Sequence, residues 1–144
     1  NELVEQDNIF DQNIISHLDS LNQSVKEFKV EFRKTINTLS LDYDCIYGYA
    51  APANVVTLLS LFDEYLTGNI DFIIDDNKLK QNKYTPGSKI LIKSGSLLKK
   101  IKDNIYVLPL AWNFYKEIKN KVKNIRPKNK DKFILCFPNF KIDK

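Results

Sequence analysis

The chain has 144 residues, 43% of them hydrophobic and 28% charged, with four glycines and five prolines. That fits one globular domain with a sizeable core and excludes a disordered or collagen-like polymer. The formal charge of +4 hides a division: residues 1–77 carry four basic and 14 acidic side chains, net −10, while residues 78–132 carry 16 and three, net +13.

From Asp7 to Leu39 the residues Phe10, Ile14, Leu18, Leu21, Val25, Phe28, Phe32, Ile36 and Leu39 recur at steps of three and four, with no Gly or Pro between them. The spacing predicts one long amphipathic helix with a narrow apolar seam. It would outreach a domain of this size, so it either packs across the domain or leads to a part preceding it. A coiled-coil homodimer through the same seam is the alternative, because the steps also fit heptads. Beyond it the pattern changes. Asp44 to Gly48 reads as a short buried strand, Pro52 to Phe62 as a helix and Ile70 to Ile74 as a second strand. Lys89 to Ile92 reads as a third strand, Ser94 to Lys102 as a short helix and Asn104 to Leu110 as a fourth strand. Trp112 to Lys123 is then a helix and Lys132 to Phe137 a last strand. Strands alternating with short helices predict an α/β fold: a Rossmann-like, mostly parallel sheet with flanking helices, preceded by the long N-terminal helix. The expected division is a linker or packing helix over residues 1–40 and a Rossmann-like domain over 41–144.

Right-handed crossovers would put the strand C-termini along one edge, where open sheets of this kind bind ligands. Gly48, Asp75, Pro109 and Pro138 are expected there. The turn Gly48-Tyr49-Ala50-Ala51-Pro52-Ala53 has small residues at all three positions of a dinucleotide-binding fingerprint. Pro52 stands where a helix would begin, and Asp75 lies near the place of a ribose-binding acid. Ala50 weakens that comparison, since a methyl group obstructs the close approach of a pyrophosphate. Some other phosphate or nucleotide, or plain packing, therefore stands beside a dinucleotide as a reading. The loop Lys80-Gln81-Asn82-Lys83-Tyr84-Thr85-Pro86-Gly87 offers lysines and a ring to clamp a phosphate and stack a base.

Catalytic sets are missing. His17 is the only histidine and belongs to the long helix. Cys45 and Cys136 are too few for a disulfide framework or a zinc site and read as small buried hydrophobes. The neighbouring carboxylates Asp63-Glu64 and Asp75-Asp76 point apart and make no acid–base dyad. Asp75, Asp76 and Asn77 could in principle hold a metal, but their spacing matches no calcium loop and none is expected. With no recognised nucleic-acid module and no stretch of about 18 apolar residues, neither nucleic acid nor membrane is expected as a partner. The acidic N-terminus is unlike a signal or transit peptide, and the expected address is cytoplasmic. With no Met in the chain, a piece of a longer protein is expected.

Several segments occur in an order that is more specific than any one of them. These are Ile46-Tyr47-Gly48-Tyr49-Ala50-Ala51-Pro52-Ala53, Thr57-Leu58-Leu59, Ile70 to Asn77, Lys80 to Ser88, and Leu110-Ala111-Trp112-Asn113-Phe114 with Glu117-Ile118. From about residue 8 to 140 the chain resembles the C-terminal domain of S-adenosylmethionine-dependent sugar C-methyltransferases, which methylate a keto-sugar carried on a nucleoside diphosphate. The resemblance implies a parent enzyme with a small zinc-binding segment and a central methyltransferase domain upstream, joined to this domain by the long helix. It implies that the methyl donor and the catalytic histidine and tyrosine belong to the central domain. No cofactor is then bound by this chain, and the partners are the nucleotide-linked sugar and the upstream domains. By the same resemblance Gly48, Ala51, Asn77, Lys80, Tyr84, Pro86, Gly87, Trp112 and Asn113 face the substrate cleft or shape its loops. The chain departs from the family at Asn54-Val55, where Lys-Gly is usual, and at Ser60, where Asn is usual. The first change removes a phosphate-binding point charge. A non-catalytic assembly module and an NAD- or nucleotide-binding fragment are the alternative functions.

Overall fold

Ile46–Tyr49 (β1) alternates Ile46 and Gly48 toward one face with Tyr47 and Tyr49 toward the other, and all four are buried. A strand covered on both faces is the mark of a parallel sheet with helices on each side. The computed structural model describes residues 2–39, 45–60, 62, 64–136 and 140–143. Asp44, Asp63, Phe137 and Pro138, named above, and Leu61, inside the helix predicted over 52–62, lie outside the described residues.

Six strands form one sheet in the order β3-β2-β1-β4-β5-β6. Ile70–Ile74 (β2) and Tyr106–Pro109 (β4) flank β1, Ile92–Lys93 (β3) forms one edge, and Lys132–Leu135 (β5) leads to the other. These five are parallel. Lys141–Asp143 (β6) pairs antiparallel with β5 and was not anticipated, being three residues long and without an apolar run. The mostly parallel α/β sheet predicted from the sequence is the observed architecture, and strand 70–74 has its expected bounds.

One face is covered by Glu2–Leu39 (α1), Val55–Ser60 (α2) and Glu64–Gly68 (α3). Among the described side chains of α1, the buried ones lie in its C-terminal half. Phe28, Phe32 and Ile36 are buried, and the rings of Phe28, Phe32, Phe62 and Phe140 meet at centroid distances of 5.4–6.1 Å. Ile14, Leu18 and Leu21, on the same seam, are about half exposed. The helix predicted over 52–62 is shorter, because Val55 N–H donates to Pro52 O in a turn before α2. On the other face, the 3₁₀ helix Gly95–Lys99, capped by Ser94, and Tyr115–Ile125 (α4) pack on Tyr47, Ile74, Val107 and Phe133. The predicted helix start at Trp112 is a separate 3₁₀ turn, Trp112–Phe114.

The N-terminal edge of the sheet is closed by Arg126. Its guanidinium makes two hydrogen bonds to the Asp131 carboxylate, at 2.7 and 3.1 Å, and donates to the carbonyls of Leu98, Ile101 and Asp103. Both residues are buried, and the pair is satisfied on every side, as a buried charge requires. At the far edge, Lys119 and Tyr115 hold Asp143 of β6.

Gly48 is fixed by contact: a Cβ there would lie 2.8 Å from Ile73 Cγ1 and 3.0 Å from Leu110 Cδ1. Gly48→Ala should lower the free energy of unfolding by about 2 kcal/mol, read from the urea midpoint at unchanged slope. The hydrogen bond from Lys119, then that from Tyr115, lowers the Asp143 pKa to about 2. A depressed carboxyl pKa stabilises the fold above its unfolded value of about 4, and that contribution fades as pH falls toward 2. Amide exchange in β6 should therefore accelerate across that interval relative to β1, and Asp143→Asn should remove the dependence.

Candidate functional site

Parallel register brings the strand ends together. Tyr49 pairs with Ile74 on one side and Pro109 on the other, and Ile74 pairs with Lys93. The helices after β1 lie on one face and α4, after β4, on the other, so the chain leaves the sheet in opposite directions between β1 and β4. This is the switch point at which open α/β sheets hold ligands.

The groove lies at the same C-terminal edge but one strand over, between the β1 turn and the loop after β2, and is organised by Asp75, the residue following β2. After β1 the backbone turns at Ala50, whose φ of 65° is unusual for a residue with a side chain, and Ala50 N–H donates to Ile74 O at 2.7 Å. The next amide, Ala51 N–H, donates to Asp75 Oδ2 at 2.7 Å, and Ala51 O accepts from Lys80 Nζ at 2.6 Å. Asp75 Oδ1 accepts from Asn77 N–H at 2.8 Å, Asn77 Oδ1 accepts from Leu79 N–H, and Gln81 Nε2 donates to Asp75 O. One buried carboxylate thus ties the β1 turn to the loop after β2.

That loop continues into a tight lobe. Asn82 N–H donates to Ile92 O, Ile92 N–H to Lys83 O and Thr85 N–H to Ile90 O, all at 2.8–2.9 Å. The buried Thr85 hydroxyl accepts from Ile90 N–H and shares a 2.7 Å hydrogen bond with Ser88. Gly87, with φ 76°, makes the turn at the tip. Between lobe and β1 turn lies a groove of about 280 Å³, with Ala51, Pro52 and Ala53 on one wall and Leu79, Lys80, Lys83, Tyr84 and Pro86 on the other. Leu79 and Tyr84 are 77% and 65% exposed and both line this groove, so its outer wall is apolar and open to solvent.

Of the residues singled out by sequence, Ala51, Lys80, Tyr84 and Pro86 line this groove. Asn77 sits in the loop behind it, exposed. Pro86 and Gly87 also border a neighbouring hollow of about 220 Å³ against Val56, Leu59 and Phe62, where Ser60 lies too. Gly48 packs inside the sheet. Trp112 is half-buried against the α1-side core, and Asn113 is exposed on the same 3₁₀ turn, after β4. Lys80 is committed to Ala51 O and lies 3.5 Å from Asp75, so it braces the walls, while Lys83 is exposed. Ala53 and Lys83, expected from the β1 turn and the lysine loop, line it too, whereas nothing in the sequence reading points to Leu79, an isolated leucine in a lysine-rich loop. His17 is exposed on α1, Cys45 is half-buried, and burial pushes the Cys136 thiol up to about 12, which leaves it unreactive. Among the described residues no group of His, Cys, Asp or Glu is arranged to hold a metal ion, and no helix is long and apolar enough to cross a membrane.

A doubly wound α/β domain with an apolar, lysine-bordered groove at its ligand edge is the class these features define. The family model described as the C-methyltransferase C-terminal domain matches residues 1–138, and the chain belongs to that family. No curated protein matches it. The family makes S-adenosylmethionine the donor to test against this site. A carboxylate after β2 is where a ribose would be held in an open sheet of this kind. Asp75 there is buried and accepts from Ala51, Asn77 and Lys80. The residues lining the groove include no carboxylate for the donor's ribose.

Asp75→Ala leaves the buried Ala51 N–H without an acceptor and should cost about 3 kcal/mol of stability. Exchange of the Ala51 and Asn77 amides should rise further than that of the β4 amides, measured by NMR.

Proposed function

We propose that this domain encloses the substrate of a C-methyltransferase that acts on a nucleotide-linked keto-sugar, and that it contributes no catalytic group of its own. The observation that carries the reading is the groove at the β1–β2 edge, in a chain of this family, with an exposed tyrosine ring beside an exposed lysine. Tyr84 offers a face for a nucleobase, and the Lys83 ammonium offers a point charge for the diphosphate. Lys80 supports the wall and is not the phosphate ligand. Asn54, exposed before α2, stands where the family usually has lysine, so the phosphate contact moves to Lys83.

The reaction is deprotonation beside the ketone and attack of the carbanion on the methyl of S-adenosylmethionine, which a separate catalytic domain of the parent enzyme binds. This domain supplies orientation and exclusion of water. Exposed Leu79, Tyr84 and Phe114, at the loops after β2 and β4, suit a surface that closes on substrate and on that catalytic domain. We place the protein in the cytoplasm, where nucleotide-linked sugars are made. A second reading, assembly through α1, draws on the half-exposed seam of Ile14, Leu18 and Leu21.

Calorimetric titration of the chain with uridine and thymidine diphosphate sugars tests the proposal. Binding should weaken by about tenfold in Tyr84→Ala, the worth of one lost base–aromatic stack, and Lys83→Ala should weaken it and flatten its salt dependence. Absence of nucleotide binding, or binding indifferent to both substitutions, would overturn it.

A further inference from the structure

Helix α1 reaches well beyond the sheet on which it docks. Its C-terminal end lies by the N-terminal edge of the sheet, where Tyr65 of α3, just before β2, donates to Asn37 Oδ1. Farther up, Phe28 and Phe32 meet Phe140, which precedes Lys141, the partner of Leu135 at the C-terminal end of β5. The helix therefore runs against the strand direction. Its residues before Phe28 pass the ligand edge and extend for about 39 Å at 1.5 Å per residue.

The projecting part keeps the seam of the docked part. Ile14, Leu18, Leu21 and Val25 step by four, three and four, the a and d spacing of a coiled coil, in one register with Phe28 and Phe32. Ile14, Leu18 and Leu21 are 43%, 53% and 54% exposed, with Ile15 at 58% beside them. A helix is marginal in water unless an apolar face is packed, so this stretch calls for a cover.

We propose that the cover is the same face of a second copy of this chain, crossing antiparallel over residues 14–25. Between the copies Leu18 then lies opposite Leu21, and Ile14 opposite Val25. Two observations choose this occupant and this direction. The body covers the seam from Phe28 onward, so a parallel pair would press two bodies into one space, whereas an antiparallel pair holds them at opposite ends. Charge agrees. By sequence, residues 2–11 hold four acidic residues and no basic one, while residues 28–37 hold three basic and one acidic. An antiparallel crossing carries each acidic end toward the other copy's basic stretch and its lysine-bordered groove. A parallel one sets two acidic ends side by side, and complementarity of this kind fixes direction. The contact is isologous, as a twofold dimer requires. It rests on the reading of α1 as an assembly element and is independent of nucleotide binding.

The test is sedimentation equilibrium of the chain, with oxidative cross-linking to read direction. The chain should sediment as a reversible dimer. Leu18→Glu combined with Leu21→Glu should sediment as a monomer at the same concentration, with near-ultraviolet circular dichroism unchanged, because both side chains lie outside the core. For direction, Leu18→Cys and Leu21→Cys are made separately in a Cys45→Ser background and mixed, Cys136 being buried. Disulfides should join position 18 of one copy to position 21 of the other in preference to like positions. A dimer cross-linked 18 to 18 and 21 to 21 overturns the antiparallel arrangement and leaves assembly through α1 standing. A chain that is monomeric at every concentration, or a dimer that survives the paired glutamates, overturns both.

Discussion

A single carboxylate sets the spacing of the ligand edge. Asp75 accepts from Ala51 on the β1 turn and from Asn77 on the loop after β2, so moving either wall breaks a hydrogen bond to a buried carboxylate. The constraint works because β1 and β2 are parallel neighbours in register, which delivers residues 51 and 75 to one edge. Lys80 closes the tie from above by reaching back to Ala51 O. The turn is held firmly enough to keep Ala50 in a left-handed conformation that costs an alanine about 1 kcal/mol.

The two ends of the sheet are finished differently. At the N-terminal end the Arg126 guanidinium is saturated by the Asp131 carboxylate and three carbonyls. Charge and polarity are consumed there in holding loops 98–104 and 126–131. At the C-terminal end Leu79, Tyr84 and Phe114 are exposed. Closure at one end and unfinished contacts at the other are what a domain needs when it is rigid in itself yet meets a ligand along one edge. Asp75 and Asp76 divide that edge between the two faces of the sheet, one bracing the groove and the other pairing with α4.

Much of this was legible in the sequence, for identifiable reasons. The run Ile70-Asp71-Phe72-Ile73-Ile74 is short, apolar and β-branched, and it became a strand with the expected bounds. The helix–strand alternation gave the parallel sheet, and the steps of three and four in α1 gave its docked seam. Strand β6 was hidden because Lys-Ile-Asp carries one apolar residue, and its pairing depends on Asp143 reaching Lys119 and Tyr115, a contact with no local trace. A proline after a strand suggests a first helical residue, but the Pro52 carbonyl accepts from Val55 in a turn, so α2 starts at Val55 and not at Pro52. Asp75 was found by spacing, but the spacing suggested a ribose ligand, and only geometry reveals an internal brace. Which lysine of the loop is committed and which is exposed is likewise a matter of three dimensions: Lys80 and Lys83 look alike in sequence.

The proposed function puts a nucleotide-linked sugar in the groove between the β1 turn and the 77–92 lobe. Hydrogen–deuterium exchange of the chain with and without such a ligand tests it. Exchange should slow at residues 51–55 and 79–86, with the loops around Arg126 at the opposite end unchanged. Unaltered exchange in the groove, or protection confined to α1, would contradict it.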